Sequence, residues 1–116
     1  MKQILLDTSF ILSCIRNKID FFEDLKLQGY EILIPKQVIV ELGGLSNSKQ
    51  ESNIALKLLE KNKFKKVDLE TKDVDKGLID YANKNKIIVG TLDREIKNKV
   101  RYGKIVIRGK KRLGVV

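Results

Sequence analysis

At 116 residues, with 42% hydrophobic and 34% charged side chains, the chain has the length of one domain and the composition of a folded one, which excludes intrinsic disorder and leaves no room for a second core. Its 24 Lys+Arg against 15 Asp+Glu give a net charge of +9, which fits either a polyanionic partner, such as nucleic acid or a charged membrane surface, or a merely soluble exterior. No apolar run is long enough to span a membrane, the lone Cys14 excludes an internal disulfide, and no signal peptide precedes the first apolar run, so a reducing cytoplasm is the expected compartment.

The first predicted element is a strand from Lys2 to Asp7. Ile4, Leu5 and Leu6 in succession read as a strand buried on both faces, and the run stops on a carboxylate, with Thr8 and Ser9 placed to cap a helix. That helix runs from Ser9 to Arg16 and contains Cys14, which reads as a small core residue rather than a reactive thiol, because nothing nearby in sequence would lower its pKa. Asp20 is the expected N-cap of a second helix carrying Phe21, Phe22 and Leu25, and Gly29 its stop. A second strand, Tyr30 to Ile34, is closed by Pro35, the only proline.

Lys36 to Leu45 is the third helix. Val38, Leu42 and Leu45 lie at helical spacing, and Glu41 occupies a position on the same stripe. A carboxylate on an apolar stripe calls for a partner or a metal, unless it sits at the stripe's boundary. Glu51 to Lys63 follows as a scaffold helix, Phe64 to Leu69 as a third strand, and Thr71 or Asp73 caps a fifth helix running to about Asn85. On that helix Asp75 shares a side with Leu78, Ile79 and Ala82, where it is either a functional acid or a first-turn carboxylate favoured by the helix dipole.

Ile87 to Asp93 repeats the grammar of the opening run: aliphatic residues, then Thr91, then an acid. A sixth helix from Asp93 to about Arg101 and a fifth strand from Lys104 to Arg108 complete the predicted elements, with a basic tail over residues 108–116. Alternating strands and helices imply one α/β domain over residues 1–116, with a parallel sheet, helices on both faces and a ligand crevice at the carboxyl ends of its strands.

Asp7 and Asp93 stand at such ends, and Glu41 and Asp75 can converge on them if the first and fourth strands are neighbours. Four acids in one crevice repel each other unless a cation is bound, and oxygen-only ligands select the hard ions Mg²⁺ or Mn²⁺. The chain contains no histidine. That removes Ser-His and Cys-His nucleophile systems and leaves carboxylates, lysine, tyrosine or a metal-bound water as bases. A basic protein with an acidic crevice fits a nuclease, in which cations hold the phosphate backbone.

The chain resembles the PIN domain, an α/β nuclease module, almost from end to end. The resemblance is carried by Leu6-Asp7-Thr8-Ser9, by Val40-Glu41-Leu42, by Asp75 with Leu78 and Ala82, and by the run Val89-Gly90-Thr91-Leu92-Asp93-Arg94-Glu95-Ile96. It implies a three-layer α/β/α fold with a parallel sheet of about five strands in the order 3-2-1-4-5. It also implies Mg²⁺- or Mn²⁺-dependent endonucleolytic cleavage of RNA, with Asp7, Glu41, Asp75 and Asp93 as catalytic, metal-binding acids and Ser9 and Thr91 as hydroxyls orienting them. Partners implied by the family are RNA, an antitoxin or ribosome-assembly protein, and a second copy of the chain. Two departures stand out: Leu92 replaces a commonly polar residue, and Lys76 stands where a second acid is common. A catalytically silent PIN module that binds RNA or protein as a scaffold is the alternative. A receiver or nucleotide-binding domain is disfavoured because Asp7-Thr8-Ser9-Phe10 stands where a glycine-rich phosphate loop would be.

Candidate backbone contacts are Arg94, Lys97, Lys99 and Arg101 on the sixth helix, with Arg108, Lys110, Lys111 and Arg112 in the tail. The competing reading for all of them is an ordinary solvated face. Tyr81 and Tyr102 are the only rings expected to be exposed for base stacking.

Overall fold

Ile4, Leu5 and Leu6 have no exposed surface, as three successive residues of a central strand covered on both faces must. A computed structural model of the protein describes residues 2–45, 49–108 and 112–115. Twelve elements follow one another there: β1 (Lys2–Leu6), α1 (Thr8–Arg16), α2 (Phe21–Leu27), β2 (Tyr30–Pro35), α3 (Lys36–Leu45), α4 (Gln50–Lys61), β3 (Lys65–Val67), α5 (Val74–Asn85), β4 (Ile88–Gly90), α6 (Arg94–Lys99), β5 (Lys104–Arg108) and β6 (Arg112–Val115). The strands form one sheet in the order β3-β2-β1-β4-β5-β6, parallel except for the last pair.

The two-residue period of β1 builds both cores. Ile4 and Leu6 point into the larger one with Phe10, Cys14, Phe21, Phe22, Val38, Leu42 and Ala55, so α1 to α4 cover one face. Leu5 points the other way, onto Leu33, Leu78, Ala82, Val89 and Ile96, so α5 and α6 cover the second face. The result is the expected three layers. β1 lies between β2 and β4, with Ile4 opposite both Ile32 and Ile88 and Leu6 opposite Gly90. The carboxyl ends of β1 and β4 are therefore adjacent, and the chain reverses its direction of sheet growth between them.

The sheet has six strands rather than five. Residues read as a basic tail return as β6, pairing Leu113 with Ile107 and Val115 with Ile105. Leu113 is buried in the larger core, and that single apolar anchor among cations is what the tail reading missed. Asp7, not Thr8 or Ser9, caps α1: its extended backbone (φ −103, ψ 172) lets its side chain accept from Phe10 N. Asp20, Asp73 and Asp93 cap α2, α5 and α6 in the same way, and Gly29 (φ +89) follows α2 as expected. α6 is shorter than predicted, because Asn83 intercepts its end: its amide donates to Lys99 O at 3.0 Å and its carbonyl accepts from Arg101 N at 2.9 Å. Arg101 thus lies beyond the helix. β3 is also shorter than the predicted Phe64 to Leu69, spanning three residues, and β4 stops before Thr91.

Two helical acids differ from expectation. Glu41 and Asp75 are both exposed rather than set into the apolar faces of their helices. Leu42 and Leu78 occupy the buried stripes, and the acids flank them at the rim. Tyr81 is half-buried against the smaller core, while Tyr102 is exposed.

Candidate acidic crevice at the carboxyl ends of β1 and β4

Four helices begin, or pass close, where β1 and β4 end, and each supplies one carboxylate. Asp7 is the last residue before α1 and Asp93 the last before α6, so each is both a strand-end acid and a helix N-cap. Asp7 N donates to Gly90 O at 3.1 Å, which ties the two strand ends together.

Asp7 is 4% exposed, and both of its oxygens are engaged. Oδ1 accepts from Ser9 Oγ at 2.9 Å and from Phe10 N at 2.8 Å, and Oδ2 accepts from Thr91 Oγ1. Burial pushes the Asp7 carboxyl up to about 6, further than those three bonds pull it down, and the nearby charge of Asp93 adds to the rise. Thr91 is fully buried and serves both acids: it donates to Asp7 and accepts from Asp93 N at 3.0 Å. Ser9 Oγ also accepts from Leu92 N at 3.3 Å, so the loop after β4 is held at two points.

Asp93 Oδ1 accepts from Glu95 N and Ile96 N at 2.9 and 3.3 Å, while Oδ2 has no hydrogen bond among the described residues. Glu41 Oε1 accepts from Thr8 Oγ1, and its second oxygen is likewise free within the described residues. Thr8 was not singled out by sequence reasoning; its signal was its place beside Asp7, which reads equally as a cap. Asp75 has neither a hydrogen bond nor an ion pair among the described residues. Its carboxyl is raised first by partial burial and then by the charges of Asp93, Glu41, Asp73 and Glu95. Asp75 therefore shares an electrostatic neighbourhood with Asp93 and Glu41, and Asp7 shares one with Asp93.

The family model described as "PIN like domain" matches residues 4–112. The chain belongs to the PIN-like domain family. Among solved structures it is similar to the PIN domain endonuclease Utp24, at 23% identity and a TM-score of 0.81, over 97% of this chain and 90% of that one. It is also similar to a domain of a functionally unknown protein from Methanocaldococcus jannaschii DSM 2661, at 18% identity and a TM-score of 0.65, over 97% and 95% of the two chains. No curated protein sequence matches it significantly.

In this PIN-like domain the four carboxylates are linked through the charges they exert on Asp7 and Asp75, without closing a cage. Among the described residues no three acids stand close enough to hold one ion between them. The donor set nevertheless fits a hard divalent ion. Every donor is oxygen, Glu41 and Asp93 each keep one oxygen, and Asp75 both, without a hydrogen bond among the described residues, and Mg²⁺ needs only one or two carboxylates because it keeps several waters.

Of the predicted backbone contacts, Arg94 and Arg101 are exposed and Lys97 is half-buried. Lys99 pairs with Glu95 at 3.0 Å on the surface of α6. Lys110 and Lys111 lie outside the described residues, as do the side chains of Arg108 and Arg112. No helix of the described residues is long and apolar enough to cross a membrane.

Proposed function

We propose that the protein is a divalent-metal-dependent endoribonuclease that hydrolyses RNA phosphodiester bonds at the crevice bordered by Asp7, Glu41, Asp75 and Asp93. The observation that carries this reading is Asp7 itself. A buried carboxylate with a raised pKa, placed at the end of the central strand and within reach of a second acid's charge, is costly to a fold and useful to a cation site.

Mg²⁺ or Mn²⁺ held at these acids would supply charge neutralisation on the phosphoryl oxygens and a nucleophilic water of lowered pKa. The chain's own residues do the rest. Thr91 and Ser9 fix the rotamer of Asp7, Thr8 draws Glu41 toward α1, and the backbone N–H groups at the start of α6 fix Asp93. Arg94 and Arg101 stand nearby in sequence as exposed cations able to hold the phosphate backbone, which the acids alone would repel.

The test is cleavage of an end-labelled single-stranded RNA in Mn²⁺ or Mg²⁺, with and without chelator, by the wild type and Asp93→Asn. Cleavage that needs the ion and fails in the variant is the expected result. Cleavage surviving both treatments would exclude the metal-dependent reading. A second reading, a module that binds RNA or protein without cutting it, draws on the open spacing of the acids; RNA retention without products in either ion would favour it.

A further inference from the structure

The edge strand β3 begins opposite Leu33, so Tyr30, Glu31 and Ile32 pair with β1 on one side and with no strand among the described residues on the other. Alternate residues of a strand aim N–H and C=O to the same side, so at least one of these three presents both groups to the open edge. Before β3, residues 63 and 64 are not part of the ladder with that edge. Lys63 and Phe64 there line, together with Tyr30 and Ile32, a cleft of about 610 Å³. Its apolar wall is continuous with the core, since the Phe64 ring lies 6.3 Å from that of Phe22.

The charge around the cleft is mostly positive, three lysines against one carboxylate. Lys26, Lys63 and Lys65 border it, and none has an ion pair or side-chain hydrogen bond among the described residues. Its one carboxylate, Glu31, is already engaged, accepting from Gln3 Nε2 at 2.7 Å. The cleft lies beside the amino-terminal half of β2, at the opposite end of the sheet from the acidic crevice.

We infer that this notch docks an acidic, extended peptide segment of a partner protein. The segment adds a strand to the open edge of β2, sets an apolar side chain against Phe64 and places its carboxylates against the three lysines. A strand supplies both donors and acceptors to the open backbone. Phosphate oxygens only accept, so a nucleic acid could meet the exposed C=O groups only through its sugar hydroxyls or base N–H groups, not in the regular register that a strand supplies.

The test uses the intact, isotope-labelled chain and a short synthetic peptide alternating glutamate with valine and phenylalanine. Amide shifts should be confined to residues 30–32 and 63–65, leaving Asp7, Thr91 and Asp93 in place. Lys63→Glu combined with Lys65→Glu should weaken binding about tenfold or more, and the corresponding glutamine pair by less. The wild-type shift map stands whether or not the variants fold. An undisturbed notch, an affinity indifferent to charge reversal in folded variants, or preferential occupancy by oligouridylate of equal charge would overturn the assignment.

Discussion

Asp7 is held in place by the same burial that makes its charge expensive. Its pKa rises from 3.8 to about 6, so the folded state binds a proton more tightly than the unfolded chain does. The consequence is a stability that is greatest below pH 3.8, falls as pH rises through this window and reaches its full deficit above 6. At ~1.4 kcal/mol for each pH unit the deficit is about 3 kcal/mol. Asp7→Asn removes the titration. Thermal unfolding of the metal-free protein above pH 6 should therefore show the variant more stable than the wild type, by an amount bounded by that figure, with the difference shrinking toward pH 4. A variant less stable than the wild type at neutral pH would mean that Thr91 and Ser9 need the charge more than burial opposes it. Thr8 donates to Glu41, so in the proposed site it would act on that carboxylate rather than on substrate. Thr8→Val should weaken Mn²⁺ binding by about tenfold or more, while Thr8→Ser restores it. Equal binding by all three would remove Thr8 from the site. Cys14 is inert by position: burial, with some help from the charge of Asp24, pushes its thiol up to about 12. It should react with thiol reagents only after denaturation.

At the scale of elements, the crevice depends on how closely β4 approaches α1. Gly90 stands opposite Leu6 in the ladder. A Cβ there would come within 2.8 Å of Leu6 Cδ2 and 3.3 Å of the Phe10 ring. Gly90→Ala should thus destabilise the fold by about 1–3 kcal/mol, as overpacking does, read as a lowered denaturant midpoint. Because Phe10 N is a donor to Asp7, the same change should weaken metal binding, whereas an unchanged midpoint would mean that the strand end yields freely. The strand ends were legible in the sequence for a physical reason: β1 and β4 are aliphatic runs that stop on Asp7 and, after Thr91, on Asp93. Where the sequence misled was at positions decided by neighbours. Glu41 and Asp75 share helical phase with buried leucines yet fall at the rim, because a 100° stripe does not say how far the covering layer extends. β6 hid behind cations because one leucine, Leu113, fixes it, and Asn83 shortened α6 from outside that helix.

For the whole molecule, a net charge of +9 coexists with the four acids, so in the proposed reading affinity and chemistry fall to different groups. RNA binding should fall steeply with salt. Arg94→Ala and Arg101→Ala should each reduce the slope of log affinity against log salt by about 1, without altering sequence preference. Unchanged slopes would return these side chains to an ordinary solvated surface.

The most direct test is an electron paramagnetic resonance titration of Mn²⁺ into metal-free wild type and Asp7→Asn, above the Asp7 pKa of about 6. The wild type is predicted to take up the ion, to lose it as protonation of Asp7 sets in below pH 6, and to need Asp7 for binding. Uptake by the variant equal to that of the wild type would contradict the assignment of Asp7 as the ligand around which the crevice is built.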